Sequence, residues 1–258
     1  MILTLIAESK TMTPCDCPVT PEQFSTHRPA DEPTADEIMA RIATIDVSDL
    51  MEVTRFSRQM SAKALRFAYD FPDKSHGQEA IAAFTGVVFK SFDYATLDEN
   101  ERRLTADTIR LISSLYGWLR PDDLIKPYRL DYTTPLAPDD RSMVQYWKKD
   151  VTIAMVREIK ARPGIHILNL LPADAAKAID WKLIKHFAPV WKIDFKELRD
   201  GATWRTPTSN RLKELRGHLL REIIRRSITD PRQLLTLETD RLHPLGTPDY
   251  PDHIAFCV

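Results

Sequence analysis

The amino-acid sequence predicts a mixed α/β (α+β) fold, compact and of one domain over residues 1–258, and three observations carry that reading. The chain opens on the apolar run Ile2-Leu-Thr-Leu-Ile6, two later segments alternate or concentrate apolar residues as strands do, and several longer segments repeat them at helical spacing. Nothing reads as a dividing linker, no low-complexity tract interrupts the chain, and no repeat of about 20 to 50 residues is present.

The elements follow in order. Ile2–Ile6 is expected to be a buried first strand. Residues 13–33 are polar and carry Pro14, Pro18, Pro21, Pro29 and Pro33, which suits neither a helix nor a central strand, so an extended surface segment is expected. Thr34-Ala-Asp-Glu37 has the form of a capping box, and Phe56, Met60, Ala64 and Phe67 share a helical face. Asp98 with Glu101 opens another helix, with Leu104, Leu111, Ile112 and Leu115 inward, which is expected to end near Gly117. Pro121 then suits the first turn of a short helix, and Tyr128–Tyr132 is expected to be extended. Ser142 precedes a long helix lined by Val144, Trp147, Val151, Met155 and Ile159. Ile165–Leu170 and Val190–Phe195 read as strands, and a last helix runs from about Ser209 to Ser227, with Leu212, Leu215, Leu219 and Ile223 inward.

Composition narrows the function classes. The chain is 43% hydrophobic and 28% charged, which excludes disorder throughout, and it is long enough to fold without disulfides or structural metal. Three cysteines cannot all pair within the chain, and Cys15 and Cys17 are too close to bridge well, so they read as free thiols in a reducing, cytoplasmic setting. No apolar run reaches the roughly 20 residues that span a bilayer, and the opening stretch is too short for a secretory signal. No membrane partner is therefore expected. The net charge is −1 but unevenly spread: residues 1–50 hold nine acidic residues against three basic ones, whereas Arg205–Arg226 hold seven basic residues against Glu214 and Glu222. A nearly neutral chain can still present a basic surface.

Seven glycines form neither a G-x-G-x-x-G nor a P-loop, and Cys15-Asp-Cys17 has no second ligand pair at zinc spacing, so no cofactor and no metal is expected. The histidines are scattered. Ser113–Ile125 combines an expected helix, a glycine turn and a second short helix, the layout of a helix-hairpin-helix, whose backbone N–H groups suit phosphate. Arg120, Lys126 and Arg129 lie nearby in sequence. The same pattern also fits an ordinary structural turn, and the basic helix face of Arg211, Lys213, Arg216, Arg221 and Arg225 also fits a solvated surface.

Taken together, Ile6-Ala-Glu-Ser-Lys-Thr-Met12, Ala83-Phe-Thr-Gly-Val-Val-Phe-Lys90, Leu115-Tyr-Gly-Trp-Leu-Arg-Pro-Asp-Asp-Leu-Ile-Lys-Pro-Tyr-Arg-Leu130, Tyr146-Trp147, Asn169-Leu170 and Lys213-Glu-Leu-Arg-Gly217 resemble the YaaA peroxide-stress family in order and spacing along nearly the whole chain. The resemblance implies a YaaA-like fold with a positively charged cleft and a helix-hairpin-helix. It also implies binding to duplex, bubbled or branched DNA and protection against hydrogen peroxide. Carried onto this chain, the DNA-binding candidates are Ser9, Lys10, Arg110, Gly117, Arg120, Lys126, Arg129, Lys213 and Arg216. Tyr116 and Trp118 are candidates either for stacking on an unpaired base or for the core. The chain departs from the family at Asn169-Leu-Leu-Pro-Ala-Asp174, where relatives read Asn-Leu-Ala-Ser-Asp-Glu, and at Thr206-Pro-Thr-Ser-Asn-Arg211.

Two other classes remain open. One is an enzyme acting on a nucleobase, nucleotide or related small molecule in the same cleft, with Lys10 as nucleophile or electrostatic stabiliser, Ser9 beside it and Asp174 as base. The other is a protein whose basic helix meets an acidic partner.

Overall fold

A computed structural model describes residues 1–13, 18–20, 22–23, 27–199, 203–245 and 252–258. The first strand, β1, spans Ile2–Ala7, and Ile2 to Ile6 are buried at every position. Such a strand, apolar on both faces, belongs at the centre of a parallel sheet. Three helices follow: α1 (Glu32–Ala43), α2 (Val47–Thr54) and α3 (Arg58–Asp70). The helix expected at Thr34 thus begins two residues earlier. Only three residues, Arg55–Ser57, separate α2 from α3. Arg55 takes a left-handed φ of 61°, Ser57 caps α3 by accepting the Met60 N–H, and Phe56 turns into the core.

Next come the short strand β2 (Gln78–Glu79) and helices α4 (Ala80–Ala83), α5 (Val87–Phe92) and α6 (Glu99–Thr108). The Asp98–Glu101 capping box forms as expected, with both hydrogen bonds at 2.9 Å. The helix then stops at Thr108, well short of Gly117. Ile109–Ser113 is strand β3, buried throughout, and Gly117–Leu119 is strand β4 returning antiparallel to it.

The expected helix-hairpin-helix at Ser113–Ile125 is therefore replaced by a β-hairpin, followed by a turn at Pro121–Asp122 and strand β5 (Leu124–Ile125), which pairs with β2. Physically, Leu104, Leu111, Ile112 and Leu115 satisfy helical spacing, but a short apolar run with β-branched residues satisfies a doubly buried strand equally well, and pairing with β1 decides between them. Gly117 is needed in this turn. Its φ is +67°, and a Cβ there would stand 2.6 Å from the Trp147 ring. The Ser113 hydroxyl accepts the N–H groups of Leu115 and Tyr116 and fixes the same turn.

Beyond the hairpin, residues 126–131 form no regular element. The remaining elements are α7 (Met143–Ala161), β6 (His166–Asn169), α8 (Trp181–Ile184), β7 (Val190–Arg199), β8 (Thr203–Arg205), α9 (Ser209–Arg225), β9 (His243–Pro244) and β10 (His253–Cys257). The strands expected near Ile165 and Val190 and the long helices beginning near Ser142 and Ser209 all form. Trp191, Ile193 and Phe195 alternate into the core along β7.

The main sheet has eight strands in the order β4-β3-β1-β6-β7-β10-β9, with β8 paired to β7, and β3, β1, β6, β7 and β10 run parallel. Helix α6 lies on β1 and β3, while α9 packs on α5 and α6; α7 lies against β4 and α8. Gly217 permits the close approach of α9 to α5, since a Cβ there would come 2.3 Å from the Val88 carbonyl oxygen. Among the described residues, no helix is long and apolar enough to cross a membrane.

Candidate functional site

The strand order locates one special place in this sheet. From β1 the chain next enters the sheet at β3, on one side; from β6 it next enters at β7, on the other. The adjacent parallel strands β1 and β6 thus send their connections in opposite directions. In open α/β sheets the crevice outside the carboxyl ends of such a pair is where ligands are received. Here it is bounded by Glu8–Thr11 after β1 and by Leu170–Asp174 after β6.

Glu8 follows β1 directly. Its Oε2 accepts the Ser114 N–H at 2.8 Å and the Tyr128 hydroxyl, and the Tyr128 oxygen lies 2.7 Å from the Ser113 hydroxyl. Because Ser113 Oγ already accepts two backbone N–H groups, its own hydrogen is directed to Tyr128, and Tyr128 in turn donates to Glu8. The Ser113 and Ser114 hydroxyls also lie close enough to favour the anion, no closer bond engages Oε1 among the described residues, and the Glu8 side chain is partly exposed. Burial of the carboxyl pushes it up to about 7, against the hydrogen bonds from Tyr128 and Ser114 that favour the anion. Tyr132 lies within electrostatic range of both Glu8 and Asp174, and its hydroxyl donates to the Ile112 carbonyl.

The positive groups come from three directions. Lys10 extends from the β1 loop with 62% of its side chain exposed and pairs with Asp131 at 2.8 Å. Arg129 bonds the other oxygen of Asp131 at 2.7 Å, is only 10% exposed, and stacks over Phe56 with its guanidinium 4.5 Å from the ring centroid. That stack joins the crevice to the α2–α3 turn, where Arg55 and Arg58 are exposed. Arg216 comes from α9. It is half-buried, burial pushes its guanidinium downward, and Asp174 opposes that shift. Among the described residues no acceptor lies within hydrogen-bond reach of Arg216, so this cation is held near the crevice without being consumed by an internal partner. Lys213, one turn earlier, is exposed. The contact of Gly217 with α5, and of Gly86 just before α5 with Ser9, brings α9 and the β1 loop onto the same short helix.

Other residues singled out from the sequence lie elsewhere. Ser9 accepts the Thr11 N–H at 3.1 Å and meets the Thr11 hydroxyl at 3.0 Å, so it shapes the β1 loop. Gly117 shapes the β-hairpin. Arg110 lies within β3, 3% exposed, and bonds Glu158 through Nε at 2.9 Å; burial pushes it downward while Glu158 raises it. Arg120 follows β4, which runs back toward the amino end of β3, and its side chain bonds Asp122 at 3.0 Å. Near it, burial pushes the Asp123 carboxyl up to about 7. Lys126 is buried, its ammonium donating to the carbonyls of Asp70, Phe71 and Asp73 at the end of α3. Tyr116 and Trp118 are both buried, the core alternative. Asp174 accepts the Ala175 N–H. Arg221 and Arg225 are turned toward Phe92, Asp93, Thr96 and Glu101. Cys15 and Cys17 lie outside the described residues. Among those residues no group of three or more His, Cys, Asp or Glu is arranged to hold a metal.

Sequence reasoning did not single out Glu8, Asp131, Arg55 or Arg58. The first carried a usable signal, an acid set directly after an apolar central strand. The partners of the others are fixed only by tertiary contacts.

Comparison with known proteins adds a family. A family model described as peroxide stress protein YaaA matches residues 2–243. A UPF0246 protein of Shewanella baltica strain OS195 is 33% identical, covering 77% of this chain and 76% of the relative. One from Phocaeicola vulgatus is 30% identical over 90% of each, and one from Parabacteroides distasonis 28% identical over 90% of each.

Proposed function

This chain belongs to the peroxide stress protein YaaA family, and from that premise we propose that it acts in the hydrogen peroxide response by binding the phosphodiester backbone of DNA along the crevice between β1 and β6. What supports the reading is that Lys10 and Arg129, sharing Asp131, follow the β1 end while Arg216 is in electrostatic range of Asp174 after β6, with Arg55 and Arg58 exposed on either side of the Phe56 that Arg129 stacks upon. A single anion needs one or two cations. A strip that runs from α9 across the β1 loop to the α2–α3 turn suits a polyanion instead.

The chemistry is that of backbone recognition. Arg216 offers a fork for two phosphate oxygens, and Lys10 is a mobile point charge that a phosphate can draw from Asp131. Nothing in this strip reads base edges, so affinity should be indifferent to sequence and sensitive to salt. Arg110 and Lys126 are buried and engaged within the fold, and Arg120, exposed but paired with Asp122, lies at the other end of β3, so the proposed strip does not include them.

A salt titration on duplex, bubbled and junction DNA tests the proposal. With about three phosphates neutralised, log affinity for duplex should fall against log salt with a slope of about −3. Salt-independent binding, or strong preference for one base sequence, would contradict it. Turnover of a free nucleotide in the same crevice would favour the enzymatic alternative.

A further inference from the structure

We propose that Glu8 is part of the DNA-binding crevice as a neutral carboxylic acid, donating a hydrogen bond from Oε1 to a phosphodiester oxygen while Arg216 and Lys10 supply the positive charge. This rests on the DNA reading above and assigns a residue and a proton to it.

The geometry argues as follows. One carboxyl oxygen is fully committed: Oε2 takes the Ser114 N–H and the hydroxyl at the end of the Ser113–Tyr128 chain. Both bonds are donations to Glu8, so the relay delivers no acceptor to which a Glu8 proton on that oxygen could turn. A proton on Glu8 therefore resides on Oε1, the oxygen outside those two bonds, on a partly exposed side chain at the carboxyl end of β1. There it is available as a donor. An ionised Glu8 would instead present a bare negative oxygen to an incoming phosphate.

Local charge makes that proton decisive. Tyr128 and Tyr132 stand next to Glu8; Asp174 after β6 is in electrostatic range of Tyr132 and Arg216 on α9 in range of Asp174, while Lys10, two residues on from Glu8, shares Asp131 with Arg129. The tyrosines are held neutral, burial pushing both hydroxyls well above their ordinary value. The remaining groups are three cations facing two carboxylates, so with Glu8 neutral the neighbourhood is positive, and with Glu8 ionised the balance vanishes. Burial sets that change near neutrality, at about 7. A bound phosphodiester adds negative charge beside Glu8 and favours the protonated form further, so binding and proton uptake reinforce each other.

The test uses the whole protein and a fluorescent oligothymidylate, whose phosphodiesters do not titrate near neutrality, at constant ionic strength. Affinity of the wild type should fall about tenfold between about pH 6 and about pH 8. Glu8→Gln, an uncharged side chain with a permanent donor, should keep the low-pH affinity across that range. Tyr128→Phe removes a bond that favours ionised Glu8, so its loss of affinity should occur at higher pH than in the wild type. A wild-type affinity that does not change with pH, or a Glu8→Gln protein that follows the wild-type curve, overturns the role of Glu8 and leaves the DNA reading standing. If Glu8→Gln does not fold, an unmoved Tyr128→Phe curve has the same force. No binding at any pH overturns both.

Discussion

The two ends of β3 hold similar charges and use them in opposite ways. At the amino end, the Arg110 guanidinium lies buried across Glu158, while Arg120 is tied to Asp122 beside the buried Asp123. At the carboxyl end, Lys10 and Arg129 share Asp131, but Arg216 has no internal acceptor among the described residues. A buried guanidinium must be paired because its desolvation is costly, and once paired it has little left for a ligand. A half-exposed one can stay open at modest cost. What distinguishes the two ends is therefore the unpartnered Arg216, a difference that charge counts along a sequence do not contain.

The largest effect expected to separate the ends is on stability. Arg110→Ala removes a buried guanidinium from β3 and leaves the partly buried Glu158 with Arg162 alone, which should lower unfolding stability by about 2 kcal/mol, read as a shift of the denaturation midpoint; a loss under about 1 kcal/mol would mean the pair is not structural. The next effect is on binding. Arg216→Ala should weaken DNA affinity about tenfold, equal to about 1.4 kcal/mol, with the thermal midpoint nearly unchanged, and equal loss on all sequences is expected by electrophoretic shift. The smallest concerns Arg120→Ala, for which affinity should stay within about twofold of wild type, given an exposed ion pair to Asp122 worth about 0–1 kcal/mol. Should Arg120→Ala and Arg216→Ala weaken binding alike, the division between the ends fails.

Much of the architecture was legible from residue patterns. The apolar first strand, the Asp98–Glu101 cap, the Trp147 helix and the alternating Trp191–Phe195 strand are all local signals, and all form. Ile109–Ser113 was not legible, because its periodicity is shared by a helix and a buried strand and its pairing with β1 lies a hundred residues away in sequence. Misreading that strand produced the expectation of a helix-hairpin-helix around Gly117. For the proposed site, Lys10 and Arg216 come from the family motifs that contain them, and Arg110, Arg120 and Lys126 look equivalent to them in sequence. Their burial and partners, Glu158, Asp122 and three carbonyls of the α3 end, come from other elements. Glu8 went unremarked for the same reason, since Ser114 and Tyr128 reach it only once the sheet is assembled.

Gly217 and Gly86 lie on the two flanks of α5, the first against Val88 and Ser91 and the second against Ser9. Each contact is as close as it is because a hydrogen stands where other amino acids have a methyl group. The gauge of the opening between the α9 arginine and the β1 lysine is thus written in two missing carbon atoms. On the proposed DNA reading, the width of strand admitted is set at positions that never touch it.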